Sequence, residues 1–121
     1  MKTILLADDE PDVREILSYN LVKRGYRVIE ARNGAEACAL AMEFQPDLIV
    51  LDLMMPEMNG FDACRKIREV KELQLVYIVF FSALNENLAL TAGHHVFVDD
   101  YIPKSVGVSE FLARISRLLN A

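Results

Sequence analysis

The chain has 121 residues, 53% of them hydrophobic, and its 13 basic and 18 acidic residues give a formal net charge of −5. This length predicts one domain with a sizeable core, and the negative charge argues against nucleic acid as a direct partner. No apolar run approaches the ~20 residues of a membrane span, and the apolar stretch at the N-terminus is too short for a signal peptide.

The first half of the chain alternates short apolar runs with helical patterns. Residues 3–7 predict a strand, and Pro11 fits the first turn of a helix whose apolar positions repeat at helical spacing as far as Gly25. Residues 27–31 predict a shorter, more polar strand near a sheet edge. Residues 35–44 then predict an Ala-rich helix.

The second half continues this alternation. The unbroken apolar run 48–51 predicts a strand buried on both faces, and a helix is predicted over residues 61–71. A strand over 75–81, a weak helix over 85–92, a strand over 96–102 and an amphipathic last helix follow. Five strands alternating with five helices predict an α/β, doubly wound parallel sheet.

The two cysteines lie inside these helical patterns. Cys38 and Cys64 have no metal-like spacing, so we expect small, buried or half-buried thiols in a reducing cytoplasm. His94 and His95 lack acids or cysteines at ligand spacing, which predicts solvent-exposed turn residues. Neither pair indicates a metal site.

Polar residues follow four of the predicted strands. Asp8 and Asp9, Asp52, Ser82 and Lys104 therefore meet at the carboxyl edge of the sheet, where open α/β sheets bind ligands. Three crowded carboxylates repel one another unless a cation is present, and Mg²⁺ prefers such oxygen ligands. A lysine ammonium and a serine hydroxyl beside them suit a phosphoryl group, for which an ionised Asp can be the nucleophile.

Over its whole length the chain resembles the receiver domain of bacterial response regulators, the two-component phosphoacceptor family. That family has a flavodoxin-like fold with strand order 2-1-3-4-5. Five segments carry the resemblance, namely LLADDE (5–10), PDLIVLD (46–52), MPEMNG (55–60), SA (82–83) and DDYIPK (99–104). Their order and spacing make the resemblance specific.

The resemblance implies a role for each residue of the phosphorylation centre. Asp52 is the implied phosphoacceptor, Asp9 the direct Mg²⁺ ligand and Asp8 a ligand largely through water. The backbone carbonyl of Met54 is the implied third protein ligand. Glu10 either assists this acidic pocket or serves the N-terminus of the first predicted helix.

The resemblance also implies the parts of a switch. Lys104 pairs with the phosphoryl oxygens, Ser82 is the switch hydroxyl and Tyr101 is the switch aromatic. The plainer alternatives are a solvated lysine, a hydroxyl bonded to local backbone and an ordinary aromatic on an edge strand.

The leading hypothesis is that residues 1–121 form a single receiver domain with no output domain in this chain. It would accept a phosphoryl group from a sensor histidine kinase or a histidine phosphotransfer protein and then change its contacts with an unknown downstream protein. We expect a cytoplasmic switch with neither nucleic acid nor membrane as a partner, and no enzyme beyond self-catalysed phosphorylation and slow self-dephosphorylation.

Two other classes of function compete with this hypothesis. A phosphorylation-independent interaction module would keep the fold and signal by binding alone, which an intact phosphorylation centre argues against. A Mg²⁺-dependent phosphatase needs a second acid two residues after the nucleophile, and that position is Met54. The phosphatase is therefore discounted.

The chain departs from the family pattern at two places. Ser105 follows Lys104 where the family has a proline after a cis bond, so we predict a trans bond. Phe97 and Val98 stand where the family has Gly-Ala, and Gly93 interrupts the preceding helical pattern. We therefore expect a short fourth helix ending near residue 92, and an altered fourth-helix to fifth-helix face that could form a homodimer if Phe97 is exposed.

Overall fold

A computed structural model describes residues 1–83 and 97–120 of the chain. In these residues five parallel strands form one sheet in the order β2-β1-β3-β4-β5. The strands are Thr3–Ala7 (β1), Arg27–Ala31 (β2), Leu48–Leu51 (β3), Tyr77–Ser82 (β4) and Asp100–Pro103 (β5). This arrangement confirms the predicted strand order and the doubly wound sheet.

Four helices cover the two faces of this sheet within the described residues. They are Pro11–Lys23 (α1), Gly34–Phe44 (α2), Gly60–Glu69 (α3) and Val108–Asn120, the C-terminal helix. One-turn 3₁₀ helices occupy Lys71–Leu73 and Lys104–Val106. No helix in the described ranges is long and apolar enough to cross a membrane.

The core consists of two apolar layers, because alternate strand residues point to opposite faces. On one face, Leu5, Ile49 and Ile78 pack with α2 and α3. On the other, Ile4 and Val50 pack with α1 and the C-terminal helix. The central strand β3 is buried along its whole length, as its unbroken apolar run predicts.

The side chains of Asn33 and Asn59 fix where α2 and α3 begin. Each accepts a hydrogen bond from the backbone N–H three residues later, at 2.8 Å and 2.9 Å respectively. This N-cap arrangement satisfies a donor that the first turn of a helix leaves unpaired. Both helices consequently begin at Gly34 and Gly60, one residue before the predicted bounds.

Arg68, at the end of α3, explains why two strand predictions were wrong at their N-terminal ends. Its guanidinium donates hydrogen bonds to the carbonyls of Gln74 at 3.0 Å, Val76 at 2.6 Å and Phe97 at 3.3 Å. It also pairs with Asp99, whose carboxylate accepts a 2.8 Å bond from the Ile78 N–H. These contacts hold residues 74–76 in a turn and residues 97–99 outside the sheet, so β4 begins at Tyr77 and β5 at Asp100.

Two predictions for the altered face of the chain can be checked in the described residues. The bond between Lys104 and Ser105 is trans, which confirms the prediction made from the missing proline. Phe97 is 68% exposed, and its ring stacks against the Arg68 guanidinium at 5.4 Å. The predicted short helix, Gly93, His94 and His95 lie outside the described residues.

Candidate functional site

The predicted site residues converge at the carboxyl edge of the sheet. Asp8 and Asp52 directly follow the adjacent strands β1 and β3, and the Asp52 N–H donates a 3.0 Å hydrogen bond to the Ala7 carbonyl. Ser82 is the last residue of β4, and Lys104 directly follows β5. Parallel strands bring these residues together because all their carboxyl ends meet at one edge.

Four carboxylates form the acidic part of the site. One oxygen each from Asp8, Asp9, Glu10 and Asp52 lies within 4.8 Å of the others. Asp8 and Asp52 are buried, whereas Asp9 and Glu10 are exposed. Clustered carboxylate oxygens of this kind are the donors that hard divalent cations take, so the residues present fit Mg²⁺.

Lys104 connects three of these carboxylates. Its Nζ lies 3.0 Å from Asp8 Oδ2, 3.0 Å from Asp52 Oδ2 and 2.9 Å from Glu10 Oε1. The side chains of Asp8 and Asp52 are 2% and 5% exposed, that of Lys104 is 17% exposed and that of Glu10 is 60% exposed. The ammonium is therefore enclosed by two buried carboxylates and covered by one that faces water.

Burial and charge act in opposite directions on the ionisable groups of the site. Burial raises the pKa of Asp8, and the charge of Asp52 adds to this rise, while bonds from the Glu10 N–H and Lys104 partly offset it. Burial alone would lower the pKa of Lys104, but its hydrogen bonds to Glu10, Asp8 and Asp52 outweigh burial and raise it. Lys104 is therefore a permanent cation at neutral pH.

Local hydrogen bonds fix Asp8 from both sides. Its Oδ1 accepts a 2.9 Å bond from the Glu10 N–H, and its backbone carbonyl accepts a 2.7 Å bond from Arg14 Nη1. Arg14 also pairs with Glu30 at 3.4 Å, which ties α1 to β2. The sequence reasoning missed Arg14, although an arginine one turn into the helix after an acidic run is a usable signal.

The loop after Asp52 is packed tightly on itself. The Met54 N–H donates a 3.2 Å bond to Asp52 Oδ1, and the Gly60 N–H donates a 3.1 Å bond to the Leu53 carbonyl. A Cβ added at Gly60 would lie 2.5 Å from the Asp52 carbonyl oxygen, and one added at Gly34 would collide with the backbone of Met58. The starts of α2 and α3 therefore press directly on this loop.

An open cleft of about 220 Å³ gives access to the site. It is lined by Asp9, Glu10, Asp52, Met54, Ser82, Ala83 and Lys104. The Met54 side chain is 62% exposed, whereas Ser82 is fully buried. Tyr101 is only 9% exposed and packs in the core layer formed with α2 and α3.

The structure distinguishes between two roles that the sequence allowed for Glu10. Its side chain could contribute to the acidic pocket or cap the N-terminus of the first helix. Glu10 is the N-cap residue of α1, but its side chain makes no capping hydrogen bond and instead contacts Lys104. The carboxylate therefore belongs to the site, and its backbone to the helix end.

Comparisons with known proteins agree with this geometry. A family model described as "Response regulator receiver domain" matches residues 4–116. The chain is 38% identical to the DNA-binding dual master transcriptional regulator RpaA of a Synechocystis species, in a match covering 98% of this chain and 49% of RpaA. The chain thus spans about half the length of the curated relatives it matches.

Solved structures match the fold over nearly its full length. Chemotaxis protein CheY4 of Vibrio cholerae has a TM-score of 0.92 at 27% identity, with 98% of this chain and 99% of that chain covered. The response regulator TrrA of Thermotoga maritima, solved in complex with Mg²⁺-BeF, has a TM-score of 0.83 at 33% identity, with coverages of 98% and 100%.

Proposed function

Because the chain belongs to the response regulator receiver domain family, we propose that Asp52 accepts a phosphoryl group from a phosphohistidine and so switches the domain's protein contacts. The donor would be a sensor histidine kinase or a histidine phosphotransfer protein. One observation carries the proposal: Asp52 is held by the partly buried ammonium of Lys104 within a cleft that also contains acids of a cation site.

The carboxylate of Asp52 is oriented before any donor arrives. Its Oδ1 accepts the Met54 N–H and its Oδ2 accepts Lys104, so the side chain has one fixed conformation. In the transfer, an Asp52 oxygen forms a bond to phosphorus as the P–N bond to the donor imidazole breaks, which leaves an acyl phosphate. Lys104 neutralises charge on the phosphoryl oxygens throughout the transfer.

Asp8, Asp9, Asp52 and the backbone carbonyl of Met54 are the proposed ligands of Mg²⁺. When bound there, the cation supplies additional positive charge to the phosphoryl oxygens. The clustering of four carboxylates around one point supports this ligand set. The Glu10 N–H would hold the Asp8 carboxylate in place whether or not the cation is bound, and Arg14 holds the Asp8 backbone carbonyl.

Ser82 and Tyr101 are the proposed switch residues. Ser82 is buried at the end of β4 beside the cleft, so a small shift would bring its hydroxyl to a phosphoryl oxygen. Tyr101 is already buried, which is the inward orientation that we associate with the switched state. The readout would be altered binding to a downstream protein or to a second copy through the face that includes exposed Phe97.

The experiment that tests this proposal measures the mass of the protein after incubation with acetyl phosphate and Mg²⁺. We expect the wild type to gain one phosphoryl group and Asp52→Asn to gain none. Asp47→Asn is the matched control, because Asp47 lies at the opposite end of β3, where its side chain accepts the Thr3 N–H at 2.8 Å. Equal labelling of Asp52→Asn and the wild type would refute Asp52 as acceptor.

An apolar groove beside the site is the proposed docking surface for the donor protein. The groove has a volume of about 160 Å³ and is lined by Val13, Ile16, Leu17, Phe81, Lys104, Gly107 and Val108. Ile16 on α1 is 52% exposed, although it borders a groove that reaches Lys104. We propose that the donor packs here, which would bring its phosphohistidine to the cleft.

The variant Ile16→Ser tests this docking surface. We expect slower transfer from a phosphohistidine protein but unchanged labelling by acetyl phosphate, because the small donor needs no docking. Val22→Ser is the control, since Val22 is 56% exposed on the same helix but does not line the groove. Equal slowing of transfer in both variants would contradict a specific role for the groove.

The alternative is an interaction module that signals without phosphorylation. The exposure of Phe97, where the family has a small residue, favours a binding role for that face. A wild-type protein that binds its partner equally well with and without beryllofluoride would support this alternative. We place either function in the cytoplasm, because Cys38 and Cys64 are free thiols that fit a reducing compartment.

A further inference from the structure

The ammonium of Lys104 has no spare donor. It carries three N–H groups, and three carboxylate oxygens lie within 3.0 Å of its nitrogen. A phosphoryl oxygen that approaches Asp52 can pair with this ammonium only if one of the three carboxylates gives up its place. The identity of that carboxylate determines how readily the site accepts its ligand.

The three carboxylates differ in what it costs to release them. Asp8 and Asp52 are 2% and 5% exposed, so in the metal-free site either would be left buried beside a like charge if Lys104 moved away. Glu10 is 60% exposed, so water can replace the ammonium at its carboxylate. No capping hydrogen bond ties the Glu10 side chain to α1, so the described contact that holds it is the one with Lys104.

We infer that Glu10 is the exchangeable partner of Lys104. Its carboxylate accepts the third N–H of the ammonium until a phosphoryl group displaces it. This inference rests on the proposed function of the site. Glu10 is thus a positioning residue that acts through Lys104. It keeps the ammonium beside Asp52 and competes with the incoming anion.

The variant Glu10→Gln separates this competition from a structural role. The amide keeps the size of the side chain but replaces a carboxylate with a weaker, neutral acceptor. At saturating Mg²⁺, set separately for each variant, we expect beryllofluoride to bind about two- to fivefold more tightly than to the wild type, the range for loss of a partly exposed ion pair. Titration calorimetry gives this dissociation constant without any turnover.

Glu15→Gln is the matched control. It removes the same charge from an exposed position on the same helix, where none of the described contacts to Lys104 is made. We expect its affinity for beryllofluoride to stay at the wild-type value. Unchanged or weaker binding by Glu10→Gln, or an equal gain in Glu15→Gln, would overturn the inference.

A second measurement tests the contact itself in the absence of metal. With a chelator present, Glu10→Gln should lower the urea midpoint of the wild type but leave that of Lys104→Met unchanged. The same shift in both backgrounds would show that Glu10 does not act through Lys104. If instead the wild type fails to bind beryllofluoride, the proposed function of the site fails, an outcome distinct from a failure confined to Glu10.

Discussion

Replacing Lys104 with methionine is the most informative perturbation of this domain. Methionine keeps most of the apolar stem of the side chain but removes the single ammonium between Asp8 and Asp52. In metal-free protein two buried carboxylates then face each other without a cation. The loss should therefore appear in the free energy of unfolding as well as in phosphorylation.

The structure sets the size of this effect. Breaking a buried ion pair costs about 3–5 kcal/mol, whereas an exposed pair such as that with Glu10 contributes about 0–1 kcal/mol. Because Lys104 opens onto a cleft of about 220 Å³, water can partly solvate the acids, and we expect a loss of about 3 kcal/mol. The free energy of unfolding of a typical domain is about 5–15 kcal/mol, so the variant should remain folded.

The loss should depend on pH in a defined direction. Burial raises the pKa of Asp8, and Lys104 partly lowers it, so removing Lys104 raises the pKa of Asp8 further. A carboxyl with a higher pKa in the folded than in the unfolded state destabilises the fold above that pKa, and this penalty vanishes as the pH falls. The deficit of Lys104→Met should thus be larger at about pH 8 than at about pH 5.

Urea denaturation followed by circular dichroism measures this deficit. Mg²⁺ should reduce it, because the cation replaces the missing positive charge between the acids. Lys71→Met is the control. Lys71 is an exposed lysine in the 3₁₀ helix after α3, so its substitution should change the free energy of unfolding little. A deficit below about 0.5 kcal/mol at high pH without metal, or complete unfolding of the variant, would refute the reasoning.

Four further predictions concern single residues. Asp9→Ala should abolish Mg²⁺ binding in calorimetry and labelling by acetyl phosphate, because an octahedral ion loses an oxygen ligand; unchanged labelling would exclude Asp9 as ligand. Gly60→Ala should cost at least about 1–3 kcal/mol and slow phosphorylation, since its Cβ would lie 2.5 Å from the Asp52 carbonyl oxygen; wild-type stability would contradict that contact. Arg68→Met should lower stability by about 3 kcal/mol with phosphorylation unchanged, because Arg68 acts at the opposite edge of the sheet; slower labelling of the folded variant would contradict this separation. Burial raises the pKa of Cys64 to about 11, so a thiol reagent should modify it only after unfolding, and rapid native labelling would disprove its burial.

The strand order and the meeting of the acids were predictable because each depends on local pattern and on a general property of parallel sheets. The unbroken apolar run 48–51 is typical of a central strand in a parallel sheet, and its following residue Asp52 then lies at the carboxyl edge. The same reasoning located Asp8, Ser82 and Lys104 without any contact between them being known.

Contacts between residues distant in sequence account for what was not predicted. Glu10 and Lys104 are 94 positions apart, and only the folded chain shows that the carboxylate turns toward the lysine rather than its own helix. Phe97 and Val98 favour extended backbone by propensity, but Arg68 binds the Phe97 carbonyl and delays the strand to Asp100. Tertiary hydrogen bonds outweighed local preference at both places.

The loop between Asp52 and Gly60 is joined to the rest of the molecule more firmly than an exposed loop usually is. Gly34 at the start of α2 abuts Met58, and Gly60 at the start of α3 abuts Asp52 and Leu53. The loop can open only if both helix starts separate from it, so opening involves three segments at once. The amide hydrogens of the loop should therefore exchange with solvent at the rate of those helix starts, as one cooperative unit.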